Sequence, residues 1–323
     1  MRARRRRRSM RLAGVALAAL LVSAPAASAG PKLSVSVTGP QRFERARVLL
    51  AGGRVHVVSR VRGSAPGSVL VVRFLYGGRE LAVRAHQAGK PYVYAHDALR
   101  LPRAGATRVS VQLFGPAGET VARPPAVALS VLQPTADLGA TGRHVRFLQH
   151  RLAALHYAVR RTGRFDWSTS DAVMAFRKVN RMPRVGVASR AVFAMVARGQ
   201  GAFRPRRGGA AHVEGDLSRQ VLALVGRGGR VYRVYTTSSG RPGLLTPTGV
   251  HRFYQKSAGW NSSGMLDSAY FTYPSGPRTA CAIHGYFVVP TWNASHCCFR
   301  VPIPDARPIF NWVHVGQLIR VYY

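Results

Sequence analysis

Two periodicities of apolar and polar residues, one strand-like and one helical, divide this chain. From Leu33 to about Val131 the period is two: Leu33-Ser34-Val35-Ser36-Val37 alternates, Val69 to Tyr76 is an apolar run closed by Gly77-Gly78, and Val109-Ser110-Val111-Gln112-Leu113 alternates again. Alternation puts every second side chain on one face of a strand, and turn residues cut the stretch into short strands. The pattern predicts a small β-sandwich of immunoglobulin-like type over residues 30–132. That region contains no chemical motif and reads as a spacer or adhesion module.

After Gln133-Pro134-Thr135 the period becomes helical. Val145, Leu148, Leu152 and Leu155 fall on one helix face, and Ala172, Phe176 and Val179 on another, which predicts a small helical bundle over residues 135–200. Residues 201–210, with Arg204-Pro205-Arg206-Arg207, read as a basic linker. Strands return beyond it, in a module spanning residues 211–323. Val221 to Val225 and Val231 to Tyr235 flank Gly226-Arg227-Gly228-Gly229, a hairpin signal, and Leu318 to Tyr322 is a last strand. Just before it one helix is expected, with Asp305 as N-cap, Ile309, Phe310, Trp312 and Val313 as core contacts and Gly316 as its stop. The fold class is therefore multidomain and mainly β, with a small helical unit between two β-rich modules.

Composition changes the picture at the N-terminus. Seven arginines up to Arg11, an apolar run from Leu12 to Val22 and a small-residue site at Ala27-Ser28-Ala29 have the form of an export signal over residues 1–29. The run is about half of the ~20 residues a spanning helix needs, so no stable transmembrane anchor is expected. Removing those arginines lowers the formal net charge of +37 to +30, still strongly cationic. Such a charge favours polyanions, whether lipid, polymer or nucleic acid. It also has a compositional explanation, because all but four of the basic residues are arginine. Export and the lack of a base-reading motif speak against nucleic acid.

The three cysteines, Cys281, Cys297 and Cys298, lie within eighteen residues, which points to local chemistry rather than a disulfide scaffold. His284-Gly285 precedes Ser295-His296-Cys297-Cys298-Phe299-Arg300, with His284 and Cys298 fourteen positions apart. A thiol attacks carbonyls as thiolate, and a neighbouring imidazole is the usual acceptor of its proton. Ser295 and the amides around Cys297 are candidates to hold an oxyanion. Two other readings of the same residues stay open at this level: ordinary core groups, or a zinc site from Cys281, His284, His296 and Cys298.

Several of these motifs resemble a known family. Leu138-Gly139, Gly142, Val145, Leu148-Gln149, Leu152, Leu155, Tyr157, Gly163-Arg164-Phe165, Ala172-Val173 and Phe176 resemble the three-helix peptidoglycan-binding module. Ala282-Ile283-His284-Gly285-Tyr286, Val289-Pro290 and Ser295 to Arg300 resemble the signature of the YkuD-type L,D-transpeptidase domain: His-Gly, then Ser-His-Gly-Cys with Arg or Asn two positions later. Thr246-Pro247-Thr248-Gly249 resembles the family's Thr-Pro-x-Gly turn, and Glu214-Gly215-Asp216-Leu217-Ser218 with Gln220 the start of its domain. The resemblance implies an enzyme without cofactor or metal that joins peptidoglycan stem peptides through 3→3 links. Cys298 would be the nucleophile and His284 its base, with the Gly285 carbonyl fixing the tautomer. Ser295 and His296 would shape the pocket and support the oxyanion. Arg300 would hold the loop or meet a substrate carboxylate, and Met265 and Tyr270 would line the cleft. The implied place is outside the membrane, in the cell wall or a periplasm-like space. Anionic wall polymers are then a further expected partner, and a wall-binding face becomes a second role for the first module.

One position departs from the signature. The residue before the nucleophile, glycine in the family, is Cys297, which puts normal oxyanion geometry in question. A Cys281–Cys297 disulfide is expected in an oxidising compartment, whereas a Cys297–Cys298 bridge would silence the thiol. An inactive wall-binding protein and an L,D-carboxypeptidase are the competing functions.

Overall fold

The computed structural model describes residues 30–273 and 280–323. The expected export signal at residues 1–29 lies outside the described residues.

The first module contains strands β1 (Lys32–Thr38), β2 (Gln41–Phe43), β3 (Ala46–Leu50), β4 (Arg54–Arg62), β5 (Val69–Tyr76), β6 (Arg79–Gln87), β7 (Tyr92–Arg100), β8 (Gly105–Phe114), β9 (Thr120–Ala122) and β10 (Val127–Leu132). One sheet has the order β1-β4-β7 and the other β2-β3-β10-β8-β5-β6, with β9 on β8. Val55, Val57 and Val61 of the first sheet face Leu70, Val72, Phe74, Val111 and Leu113 of the second. This is the sandwich that the alternation predicts, with apolar alternates turned between the sheets.

The helical module has α1 (Arg143–Ala154), α2 (Trp167–Val179) and α3 (Arg190–Ala197). Asp166 and Ser189 cap α2 and α3 by accepting the N–H of Thr169 and Val192. The faces read from the sequence point inward: Val145, Leu148, Leu152, Ala172 and Phe176 are buried. The same apolar cluster extends into Val221, Ala223, Val225 and Val234 of the last module. A backbone bridge pairs Tyr157 with Val234. The helical unit is therefore packed onto the third module.

That module holds β11 (His212–Asp216), β12 (Val221–Val225), β13 (Val231–Thr236), β14 (Gly249–Arg252), β15 (Gln255–Trp260), β16 (Leu266–Thr272), β17 (Cys281–Tyr286), β18 (Phe299–Pro302), α4 (Ile303–Trp312) and β19 (Leu318–Tyr322). Its sheets run β13-β12-β11-β19-β14 and β15-β16-β17-β18. They enclose a core of Val213, Leu222, Phe253, Phe271, Ile283, Phe299 and Ile319, with α4 adding Ala306 and Ile309. The basic linker is pinned: the Arg206 and Arg207 amides donate to the Glu214 carboxylate, and the Arg206 guanidinium lies 3.8 Å from the Tyr322 ring centre.

Two expectations about α4 need correction. Pro302, not Asp305, is the N-cap, and Asp305 sits within the first turn. Pro304 explains the earlier start, since a proline in the first turn has no N–H to leave unpaired. The helix also ends before Gly316: Val313 is extended, buried in the core and donates to the Ile309 carbonyl. Gly316, with φ +86°, turns the chain into β19 and donates to the Phe253 carbonyl.

Candidate active site

Strands β17 and β18 run parallel with His284 opposite Arg300. Alternation turns His284 and Ala282 to one face of β17 and Gly285 to the other. A Cβ on Gly285 would stand 2.8 Å from the Ala306 Cβ of α4, so only glycine lets helix and strand approach this closely. Cys298 ends the loop ahead of β18 and comes to the His284 side. Its sulfur receives the Ala282 N–H at 3.3 Å, and its own hydrogen points to the Ala280 carbonyl at 3.9 Å.

These groups open onto a cavity of about 460 Å³. Cys298, His284, Ser295, His296 and Arg300 line it, with Met265, Ser263, Ala280 and Tyr286 completing the wall. Tyr270 is not among the lining residues. It sits beside Tyr254 at 6.3 Å between ring centres, with its hydroxyl 3.4 Å from the Asn261 amide nitrogen.

The His284 Nδ1 lies 3.0 Å from the Gly285 carbonyl. A carbonyl only accepts, so Nδ1 carries the hydrogen and the Nε2 lone pair is left as the base. Burial pushes the imidazole down to about 4, with the Arg300 charge acting in the same direction and the Gly285 bond opposing it. Burial also pushes the Cys298 thiol up, against the Ala282 N–H and Arg300, which favour the thiolate. Both shifts favour the uncharged pair, a thiol and a neutral base lining one cavity. Among the described residues Arg300 has no carboxylate partner; its guanidinium lies 4.2 Å from the Tyr286 ring centre.

The loop carrying Cys298 is held from several sides. Cys297 has φ +117°, a left-handed conformation natural to glycine, and is disulfide-bonded to Cys281 at the start of β17. The bond consumes Cys281, which removes it from the four-ligand zinc set. Ser295 Oγ donates to the Cys298 carbonyl at 2.6 Å and accepts the Cys297 N–H at 3.2 Å. Ser295 lines the cavity, but its hydroxyl hydrogen is spent on the Cys298 carbonyl and braces the turn. Thr246 Oγ1 donates to the Cys297 carbonyl at 2.7 Å, so the Thr-Pro-x-Gly turn anchors this same peptide. His296 is exposed, with its Nε2 3.1 Å from an Arg241 nitrogen.

Sequence reasoning missed a strap beneath the loop. The Thr237 hydroxyl and the Ser238 amide donate to the Arg300 carbonyl, and the Ser239 carbonyl accepts the Ala294 and Ser295 amides. Gln220 brackets Ser239 through both ends of its amide. Lys178, reaching from α2, donates to the Gln220 carbonyl, Thr236 Oγ1 and the Thr237 carbonyl. The visible signal was the unbroken polar run Thr236-Thr237-Ser238-Ser239 following an apolar strand. Buried polar side chains of this kind persist only when hydrogen-bonded.

Comparison with known proteins matches two stretches of the chain to family models. The YkuD model, an L,D-transpeptidase catalytic domain, matches residues 210–321, and a peptidoglycan-binding domain model matches residues 141–196. A solved L,D-transpeptidase from Xylanimonas cellulosilytica is 30% identical with a TM-score of 0.54, covering 62% of this chain and 100% of that chain. One from Stackebrandtia nassauensis is 19% identical with a TM-score of 0.36, covering 58% and 95%. Another, from Mycobacterium smegmatis, is 13% identical with a TM-score of 0.31, covering 90% and 100%. No curated protein matches the chain.

Proposed function

The chain belongs to the L,D-transpeptidase family, and from that premise we propose that it is an exported cysteine transpeptidase forming 3→3 links between peptidoglycan stems. The observation that carries the reading is the shared cavity of Cys298 and His284, with the imidazole's free Nε2 set by the Gly285 carbonyl.

The steps follow from the protonation states. His284 Nε2 takes the Cys298 proton as the sulfur attacks the carbonyl carbon of the third residue of a donor tetrapeptide. The tetrahedral oxyanion collapses, the bond to the fourth residue breaks, and the imidazolium returns its proton to the leaving amine. An amine on a neighbouring stem then attacks the thioester, giving up a proton to His284 as the sulfur leaves. Arg300 is the permanent positive charge at the cavity, suited to a substrate carboxylate or to developing negative charge. Met265 supplies an apolar wall. The helical module would hold the enzyme on its substrate, and the net positive charge would favour anionic wall polymers.

Incubation of the protein with disaccharide tetrapeptide and separation of products by mass tests the reading. Cross-linked dimers that vanish in Cys298→Ala are expected. Tripeptide alone would make the protein a carboxypeptidase, and unchanged substrate with retained wall binding would make it a binding protein.

A further inference from the structure

A second cavity, about 530 Å³, lies on the seam between the helical module and the last module. One wall comes from Ala158, Val159, Arg160 and Ser168 of the helical module, the other from β13 and α4. Helix α4 covers the face of β17 to which Gly285 points, opposite His284, so this cavity is distinct from the Cys298 cleft.

Its chemistry is that of a sugar site. Tyr232 and Trp312 lie nearly parallel, with ring centres 6.3 Å apart and planes at 18°. Tyr232 is 53% exposed and Trp312 half-buried, with the Arg233 guanidinium 5.7 Å from the Tyr232 ring centre, so part of the apolar ring surface stays in water. Beside them stand Asp305, Asn311, Arg160 and Arg233, a carboxylate, an amide and two guanidiniums. Among the described residues the Asp305 carboxylate and the Asn311 amide have no side-chain hydrogen bond or ion pair, yet neither is sealed from solvent. Burial, with help from nearby Asp171, pushes the Asp305 carboxyl up to about 7 against the pull of Arg233 and Arg160. The fold thus keeps an unpaired carboxyl in a partly dry place beside an aromatic platform. A pyranose ring presents apolar C–H faces and an equatorial fringe of hydroxyl and acetamido groups, which this set would stack and hydrogen-bond. A polyanion would meet Asp305.

We propose that the seam cavity binds the β-1,4-linked amino-sugar backbone of peptidoglycan, stacking a sugar ring on Tyr232 and Trp312 and hydrogen-bonding it through Asp305 and Asn311. The proposal rests on peptidoglycan as the substrate and is independent of the chemistry assigned to Cys298. The four proposed sugar contacts all belong to the catalytic module, and the module matched as peptidoglycan-binding supplies the facing wall through Ala158, Val159, Arg160 and Ser168.

The test is titration of the intact chain with chitotetraose, the tetramer of β-1,4-linked N-acetylglucosamine, followed by tryptophan fluorescence and calorimetry. Saturable binding is expected, weakened at least tenfold in Tyr232→Ala and in Asn311→Ala. Both side chains are exposed enough that their loss should leave the melting temperature near that of the parent. Cys298→Ala is expected to bind as the parent does. No saturable binding, or binding indifferent to both pocket variants, overturns the proposal, as does competition by free stem tetrapeptide at equal concentration. Dimer formation without chitotetraose binding would sink the sugar site alone, and binding without dimer formation would sink the catalytic reading alone.

Discussion

Cys281 and Cys297 are joined by a disulfide, and Cys297 is the residue that holds a glycine-like φ of +117° next to the free thiol of Cys298. A non-glycine residue in that region costs about 1–3 kcal/mol and persists only where its surroundings over-determine it. Here the surroundings are the disulfide on the side chain, Ser295 Oγ on the amide and Thr246 Oγ1 on the carbonyl. A covalent tether to β17 and two hydrogen bonds together hold this turn at a φ natural to glycine.

Cys297→Gly and Cys297→Ala separate the two effects. Both lose a bridge closing 16 residues, worth about 3 kcal/mol in the chain-entropy account. Only the glycine variant also relieves the backbone, so it should be about 1–2 kcal/mol more stable than the alanine variant. Cys297→Gly is expected to retain cross-linking, and Cys297→Ala to fall below it. Denaturant melts and dimer yields decide. A Gly variant no better than Ala in either would show that the tether does not substitute for glycine.

Cys281→Ser tests the same tether through redox. It frees the Cys297 thiol beside Cys298, where oxidation can join the two. The variant should be inactive as isolated under air and recover with a mild thiol reductant, while the parent should show one titratable thiol after denaturation without reductant. Three titratable thiols in the parent would contradict the disulfide.

Protonation of His284 gives the activity and the stability a shared lower limit. With the imidazole at about 4, the base stays neutral through mildly acidic conditions, so acylation should hold its rate down to about pH 5 and fail below. The stability sign is the same. The unfolded chain protonates this histidine below its ordinary 6.5, the folded chain only near 4, so falling pH across that window removes up to about 3 kcal/mol. Unfolding titrations of the parent and His284→Gln at pH 7 and 4.5 would show the slope in the parent and a shallower one in the variant. At the alkaline end the raised thiol makes Cys298 slow toward iodoacetamide at neutral pH, with a rate that climbs as pH rises.

Much of this was legible in the residues. Period-two alternation marked β1 and β8, an apolar run closed by two glycines marked β5, and the 3.6-residue spacing marked the buried faces of α1 and α2. The cleft was legible where chemistry and fold demand the same residue, as at His284-Gly285. What stayed hidden were roles made by contacts across the chain. Nothing local in Lys178 says that it bonds three groups beneath the active-site loop, and nothing in Ser295 says that its hydroxyl is turned into the loop. The end of α4 was misplaced because a core valine, not a glycine, terminates it.

Thr246→Val keeps the shape of the side chain and removes the hydroxyl that joins the Gly240 amide to the Cys297 carbonyl. Both groups are buried, so the change should cost about 1–3 kcal/mol of stability. If the bond also orients the peptide before Cys298, turnover should drop at least tenfold while the KM for disaccharide tetrapeptide changes little. Equal stability with full turnover would remove Thr246 from the positioning of the loop.

Asp305→Asn probes a group that the fold holds at a cost. In the folded chain the carboxyl keeps its proton up to about 7, while in the unfolded chain it releases it above 3.8. Rising pH between those values therefore favours unfolding, and above pH 7 the penalty is complete. The isosteric amide carries no charge, so the variant should be more stable than the parent at pH 8, on the order of 1–2 kcal/mol after solvent screening, and nearly equal to it at pH 4. Paired denaturation curves at the two values measure the difference. A gain at pH 8 accompanied by weaker chitotetraose binding would tie the retained carboxyl to the sugar site, because the stability forgone at Asp305 would then have a ligand to account for it.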